Sequence, residues 1–186
     1  AHPGRVARAV DAPIAEYVPL AIEPSAASAR SPRSGVNALG HGAGRVSNWD
    51  EAQQTAVDRT GFFWDPVSGI KLLPGLGGES GVWGLNNEGQ ASGWSYLSTA
   101  ADAFERGVRW ETTPVPATVT SLGTLANTNG VTGNNSTAYD LNDDGAVTGY
   151  SDIPNLAGDF TPFHAILYTD GGPMCLTQGL RTRLPR

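Results

Sequence analysis

One phrase occurs three times along this chain, and that repetition constrains its folding more tightly than any local signal. Gly145-Ala-Val-Thr-Gly-Tyr150 lines up with Gly89-Gln-Ala-Ser-Gly-Trp94 and with Gly44-Arg-Val-Ser-Asn-Trp49. Each copy is followed by a segment ending in an aromatic residue: Phe62-Phe-Trp64, Val108-Arg-Trp110 and Ile166-Leu-Tyr168. A leucine-bearing segment comes next: 70–76, 119–125 and 174–180. Trp64 and Trp110 lie 46 residues apart, and Trp110 and Tyr168 lie 58 apart. A period of this size marks a repeat architecture, in which one unit cannot bury its apolar face alone and must stack or close with its neighbours.

The local chemistry makes each unit a set of short strands. Val147, Gly149 and Ser151 alternate with Ala146, Thr148 and Tyr150, the period of two expected of a half-buried strand. Asn142-Asp-Asp-Gly145 supplies turn chemistry, because Asn, Asp and Gly tolerate positive φ at low cost. The 24 Gly and 13 Pro leave little room for long helices, and no long helical periodicity is present. The only helix-like stretch is 99–106, readable equally as a loop or strand start. The expectation is an all-β fold of three propeller-blade-like antiparallel repeats at 34–79, 80–130 and 131–180. An extended N-terminal arm (1–33) precedes them and a basic tail (181–186) follows. Closed propellers typically carry about four to eight blades. Three repeats therefore imply a partial or compact propeller, a β-trefoil-like closure, or open edges that meet another copy.

The repeated residues carry a resemblance. Leu85-Asn-Asn-Glu-Gly-Gln-Ala-Ser-Gly-Trp-Ser95 and Leu141-Asn-Asp-Asp-Gly-Ala-Val-Thr-Gly-Tyr-Ser151 resemble the "Ile-Asn-x-x-Gly-x-Val-Val-Gly-x-Ser" core of the HAF family of bacterial extracellular repeats. His164-Ala-Ile-Leu-Tyr168 is similar to that family's His-Ala-Phe-Leu-Trp signature, and Leu122-Gly-Thr-Leu125 and Leu76-Gly-Gly78 to its Leu-Gly-Thr-Leu-Gly-Gly tail. The resemblance spans roughly 34–180 and implies a secreted, propeller-like β protein. It implies no activity.

Charge is unevenly placed. The net charge is −6, yet Arg5, Arg8, Arg181, Arg183 and Arg186 give the two ends +5 and leave −11 on the body from Asp11 to Leu180. An acidic body argues against nucleic acid as the main partner. Basic ends on an acidic body suit docking onto neighbouring copies, weighed against plain solvated tails. Within the arm, the apolar residues Tyr17, Val18, Leu20 and Ile22 can add as a strand to an open sheet edge. These four, with Arg181 and Arg183, are the expected self-assembly contacts. Arg outnumbers Lys eleven to one, which points to a high-GC bacterial source. A chain beginning at Ala1, with no charged-then-apolar leader, is expected to be a mature secreted or cell-surface protein. No apolar run reaches the ~18 residues of a transmembrane helix. Cys175 is the only cysteine, so an intrachain disulfide is impossible; its apolar surroundings favour burial over pairing between chains.

No motif demands catalysis or a cofactor. Asp140, Asn142 and Asp144 match the start of a calcium loop, but Ser151 stands where a carboxylate is wanted, and the repeat explains the same residues as a turn. Gly78-Glu-Ser80-Gly-Val82 lacks the second glycine of a nucleophile elbow. His2, His41 and His164 have no zinc-ligand spacing, and no phosphate-binding loop occurs. Acidic neighbours such as Asp50/Glu51 and Asp143/Asp144 read as solvated loop charges. The repeated aromatics are either core plugs or a sugar-stacking platform, with burial favoured because large rings dominate packing energetics. Trp83, unmatched in this alignment, is the better ligand contact. The expected function is non-enzymatic: a secreted structural or adhesive module that self-associates, as a filament or surface layer. A carbohydrate-binding module and a fragment of a propeller-type hydrolase are the alternatives.

Overall fold

The computed structural model describes residues 35–126, 130–153 and 163–177. Tyr17, Val18, Leu20, Ile22, Arg181 and Arg183 lie outside the described residues. The described chain is all-β. β1 (Gly35–Val36), β2 (Gly42–Asp50), β3 (Thr55–Asp65) and β4 (Gly69–Leu72) form one sheet. β5 (Ser80–Leu85), β6 (Gln90–Tyr96), β7 (Glu105–Glu111) and β8 (Thr118–Ser121) form the second, and β9 (Ser136–Leu141), β10 (Val147–Asp152), β11 (Phe163–Thr169) and β12 (Gly172–Cys175) the third. Each is a four-stranded antiparallel meander in chain order, the plan of a propeller blade. The helix-like stretch before β7 forms bends and a turn. Among the described residues no helix is long and apolar enough to cross a membrane.

Pairing fixes which residues of the three blades are equivalent. Phe62 on β3, Val108 on β7 and Ile166 on β11 face Gly44, Gly93 and Gly149 on the strands before them. Counting back from those glycines, Gly40, Gly89 and Gly145 occupy one turn position, with φ of +76°, +78° and +77°. This corrects the alignment read from sequence. The turn glycine of the first copy is Gly40 and not Gly44. The equivalent of Trp94 and Tyr150 is Arg45 and not Trp49. Trp83 does have a counterpart, Tyr139. The cause is the length of β2 and β3, which run well past the ends of their counterparts and carry a second, spurious match to the repeated phrase.

Each blade has two faces. On blade 2, Val82, Ala91, Val108 and Trp110 pack with Ala43, Phe63 and Leu73 of blade 1 into one buried core. The same positions on blade 3 (Ala138, Val147, Ile166 and Tyr168) are buried together with Leu122 and Leu125 of the preceding connection. The core therefore lies in the seams between blades, and within a blade glycines let neighbouring strands approach closely. A Cβ on Gly93 would overlap the Gly81 carbonyl oxygen, and one on Gly149 the Thr137 carbonyl oxygen.

Candidate functional site

Two features follow from this stacking: a repeated polar clamp at each seam, and a cleft that draws equivalent side chains from all three blades.

The clamp begins with the Asn that opens each turn. Asn37 Oδ1 accepts the Leu39 and His41 N–H groups (3.1 and 2.9 Å), Asn86 Oδ1 those of Glu88 and Gln90 (3.1 and 2.8 Å), and Asn142 Oδ1 that of Ala146 (2.9 Å). This is Asx chemistry, in which the side chain replaces a backbone acceptor. The amide end then reaches the next blade. Asn37 Nδ2 donates to the Asn86 carbonyl at 2.9 Å, and Asn86 Nδ2 donates to the Asn142 carbonyl at 2.9 Å. A second rung runs alongside, from the Ala38 N–H to Asn87 Oδ1 and from the Asn87 N–H to Asp143 Oδ1, both 2.9 Å. Hydrogen bonds from Asn87 hold the Asp143 carboxyl below the usual carboxylate range.

Serines close the seam at depth. The Gly61 N–H donates to Ser80 Oγ and the Gly107 N–H to Ser136 Oγ, both at 3.0 Å. The Leu76 and Leu125 N–H groups donate to Ser95 Oγ and Ser151 Oγ, both at 2.9 Å. The aromatic that ends the third strand anchors the incoming connection: Trp110 Nε1–H donates to the Pro74 carbonyl (2.7 Å), and the Tyr168 hydroxyl donates to the Gly123 carbonyl (3.2 Å). Ser80, the serine weighed as a nucleophile, is thus buried in the seam.

The clamp stops at blade 3. Among the described residues no further blade follows, and Asn142 is exposed where Asn86 is buried. Both outer faces of the stack are apolar. On blade 1, Phe62 and Trp64 are only half-buried, flanked by Val36, Ile70 and Leu72, the last 62% exposed. The equivalents of Trp64 on the inner blades, Trp110 and Tyr168, are 0% and 2% exposed. On blade 3 the opposite face shows Ala165, Leu167, Met174 and Phe163, the last 64% exposed.

The cleft, about 240 Å³, lies at the other end of the strands. Blade 1 contributes Arg45 and Arg59, blade 2 Trp83, Trp94, Tyr96 and Glu105, and blade 3 Thr137, Tyr139 and Tyr150. Arg45, Trp94 and Tyr150 are equivalent second-strand positions, and Arg59 and Glu105 equivalent third-strand positions. Trp83 and Tyr139 each sit at a bulge, where the inner strand slips by one residue against its neighbour. A bulge re-aims a side chain. Trp94 packs edge-on against Tyr96 (5.3 Å between centroids), and Tyr139 lies 5.7 Å from Tyr150.

The polar groups of the cleft are unevenly satisfied. Glu79 holds Arg59 at 3.4 Å. The Arg45 guanidinium lies 5.5 Å over the Trp83 ring and makes no hydrogen bond or salt bridge to the described residues, Glu79 acting on it only through its charge at longer range. Loss of solvent lowers its pKa, and the charge of Arg59 lowers it further. The Trp83 Nε1–H is buried without an acceptor. The Thr137 hydroxyl donates to the Glu105 carboxylate. Burial nevertheless pushes that carboxyl up to about 7.

The sequence-predicted residues distribute as follows. Trp83 and Trp94 line the cleft, whereas Trp110 and Tyr168 are buried as core plugs. Asp140, Asn142 and Asp144 are exposed around the blade 3 turn, where Asn142 Oδ1 is engaged as the turn cap. No group of three His, Cys, Asp or Glu with metal-binding geometry occurs among the described residues. Cys175 is half-buried on β12, its Sγ 3.6 Å from His164 Nδ1. Sequence reasoning missed Arg45, Glu105 and Tyr139, because the shifted first copy hid Arg45 and Glu105 belongs to no repeated phrase. Comparison with family models, with curated proteins and with solved structures returns no match.

Proposed function

We propose that this chain is a secreted, non-enzymatic building block that associates with further copies of itself head to tail, the apolar face of blade 3 receiving that of blade 1. One observation carries the reading: the clamp from Asn37 to Asn86 to Asn142 is made at both internal seams and is left open at Asn142. The next rung requires only the backbone carbonyl of another Asn37. Apolar surface supports the same pairing. Positions that each inner seam buries completely are half-buried or exposed on the outer face of blade 1. Burial of apolar area contributes about 25 cal/mol per Å², so a seam of this kind is a strong source of association. The contact is heterologous, and such contacts either close a ring or extend a filament. Two copies with three blades each carry six, within the range of about four to eight for closed propellers.

The test is light scattering and sedimentation on the full chain, on Leu72→Glu and on Met174→Glu. Leu72 and Met174 are both exposed, so a charge at either leaves the fold intact. The expected result is a dimer or a ladder of oligomers for the wild type and monomers for each variant. A wild type that stays monomeric at high concentration, or variants that assemble as the wild type does, would overturn the reading. A chain lacking residues 1–33 separates the blade faces from the arm: assembly through the faces survives its removal.

A further inference from the structure

We infer that the cleft between the three blades is a binding site for a saccharide unit that bears a carboxylate, with Arg45 as the anion contact and Tyr139 and Tyr150 as the ring-stacking surface. This goes beyond the self-association proposed above and does not depend on it. Positions that hold blades together differ from positions that line the cleft. Turn and seam positions keep one residue type from copy to copy: Asn37, Asn86 and Asn142, Gly40, Gly89 and Gly145, Ser80 and Ser136. Two cleft positions change chemical class: Arg45 stands where the other blades carry Trp94 and Tyr150, and Arg59 stands where blade 2 carries Glu105. Packing alone gives no reason for that difference, whereas an asymmetric ligand does.

Donors in the cleft outnumber their acceptors. Buried donors in folded proteins almost always find an acceptor. On this wall the Trp83 Nε1–H is buried without one, and the part-exposed Arg45 guanidinium that lies over the Trp83 ring makes no hydrogen bond or salt bridge to the described residues. Arg59 is already held by Glu79. The missing partner is therefore rich in acceptor oxygens and negatively charged, and the planar guanidinium fork matches a carboxylate in bidentate fashion. The floor of the site is aromatic. Tyr139 is 49% exposed and Tyr150 half-exposed, so their rings present an apolar body with a polar tip. Close to Tyr150, Glu105, part-protonated near neutral pH, can donate to a hydroxyl as well as accept from one. Aromatic faces with a few placed polar groups are the composition of a small-molecule site. At about 240 Å³ the cleft falls below the ~300–1,000 Å³ that encloses drug-sized ligands, and so takes one ring at a time.

The experiment is titration calorimetry, with tryptophan fluorescence as a second readout, on the wild type and on the Leu72→Glu variant. Probes are trigalacturonate, a neutral galactose trimer and acetate. The expected result is binding of trigalacturonate at least tenfold tighter than of either other probe, equal in the two proteins. Arg45→Gln should remove that preference, and Tyr139→Ala should weaken both sugars together. Binding that is equal for acidic and neutral trimers, undetectable for both, matched by acetate, or unchanged in Arg45→Gln would overturn the inference. Because Leu72→Glu blocks assembly through the blade faces, loss of assembly and loss of binding are read separately.

Discussion

At the scale of single residues, Asn86 and Asn142 separate the two tasks of one position. Asn86 is buried and its side chain makes four bonds, two that cap its own turn, one to Gln90 Oε1 and one to blade 3. Net contributions of about 0.5–1.5 kcal/mol each predict a loss of about 2–4 kcal/mol for Asn86→Ala in urea unfolding. Asn142 is exposed and caps only its turn, so Asn142→Ala should cost about 1 kcal/mol while weakening self-association. Glu105 gives a prediction with a definite sign. Its folded-state pKa of about 7 is raised above the ordinary 4.5 because burial disfavours the charged form. The unfolded chain therefore releases this proton first as pH rises, and stability falls between about 4.5 and 7 before levelling. Glu105→Gln should remove that fall. Urea midpoints of the variant should exceed those of the wild type at pH 8 and match them at pH 4.

At the scale of elements, the glycines at the turns and in the second strands have different reasons to be glycine. Gly40 has φ +76° and open space around it, so Gly40→Ala meets only the left-handed backbone cost of about 1–2 kcal/mol. Gly93 sits where β5 and β6 pass so closely that a Cβ would overlap the Gly81 carbonyl. Gly93→Ala should separate the two strands and cost about 3 kcal/mol or more, near the tail of single-substitution effects. Thermal unfolding of the two variants beside the wild type distinguishes a strained turn from a split blade. The bulges on β5 and β9 belong to this scale too. They turn Trp83 and Tyr139 out of the alternation of their strands and into the cleft.

At the scale of the whole molecule, stability and assembly are linked. If blade faces of separate copies pair, the folded state gains free energy that depends on protein concentration. Unfolding temperatures of the wild type should rise over a hundredfold increase in concentration, whereas those of Leu72→Glu should stay constant. The all-β class and the three repeats were legible in the sequence because repetition, turn residues and strand alternation are local, and each copy carries them within about a dozen residues. The register of the first copy was not legible. Gly40 and Gly44 are both plausible turn glycines in isolation, and only the pairing of β2 with β3 decides between them. Nor could the sequence say that Arg45, Glu105 and Tyr139 share a cleft or that Asn142 ends an unfinished clamp. Those facts depend on residues from different blades meeting in space. Local chemistry determined the blade; the stacking of one blade on the next decided what the blades jointly present.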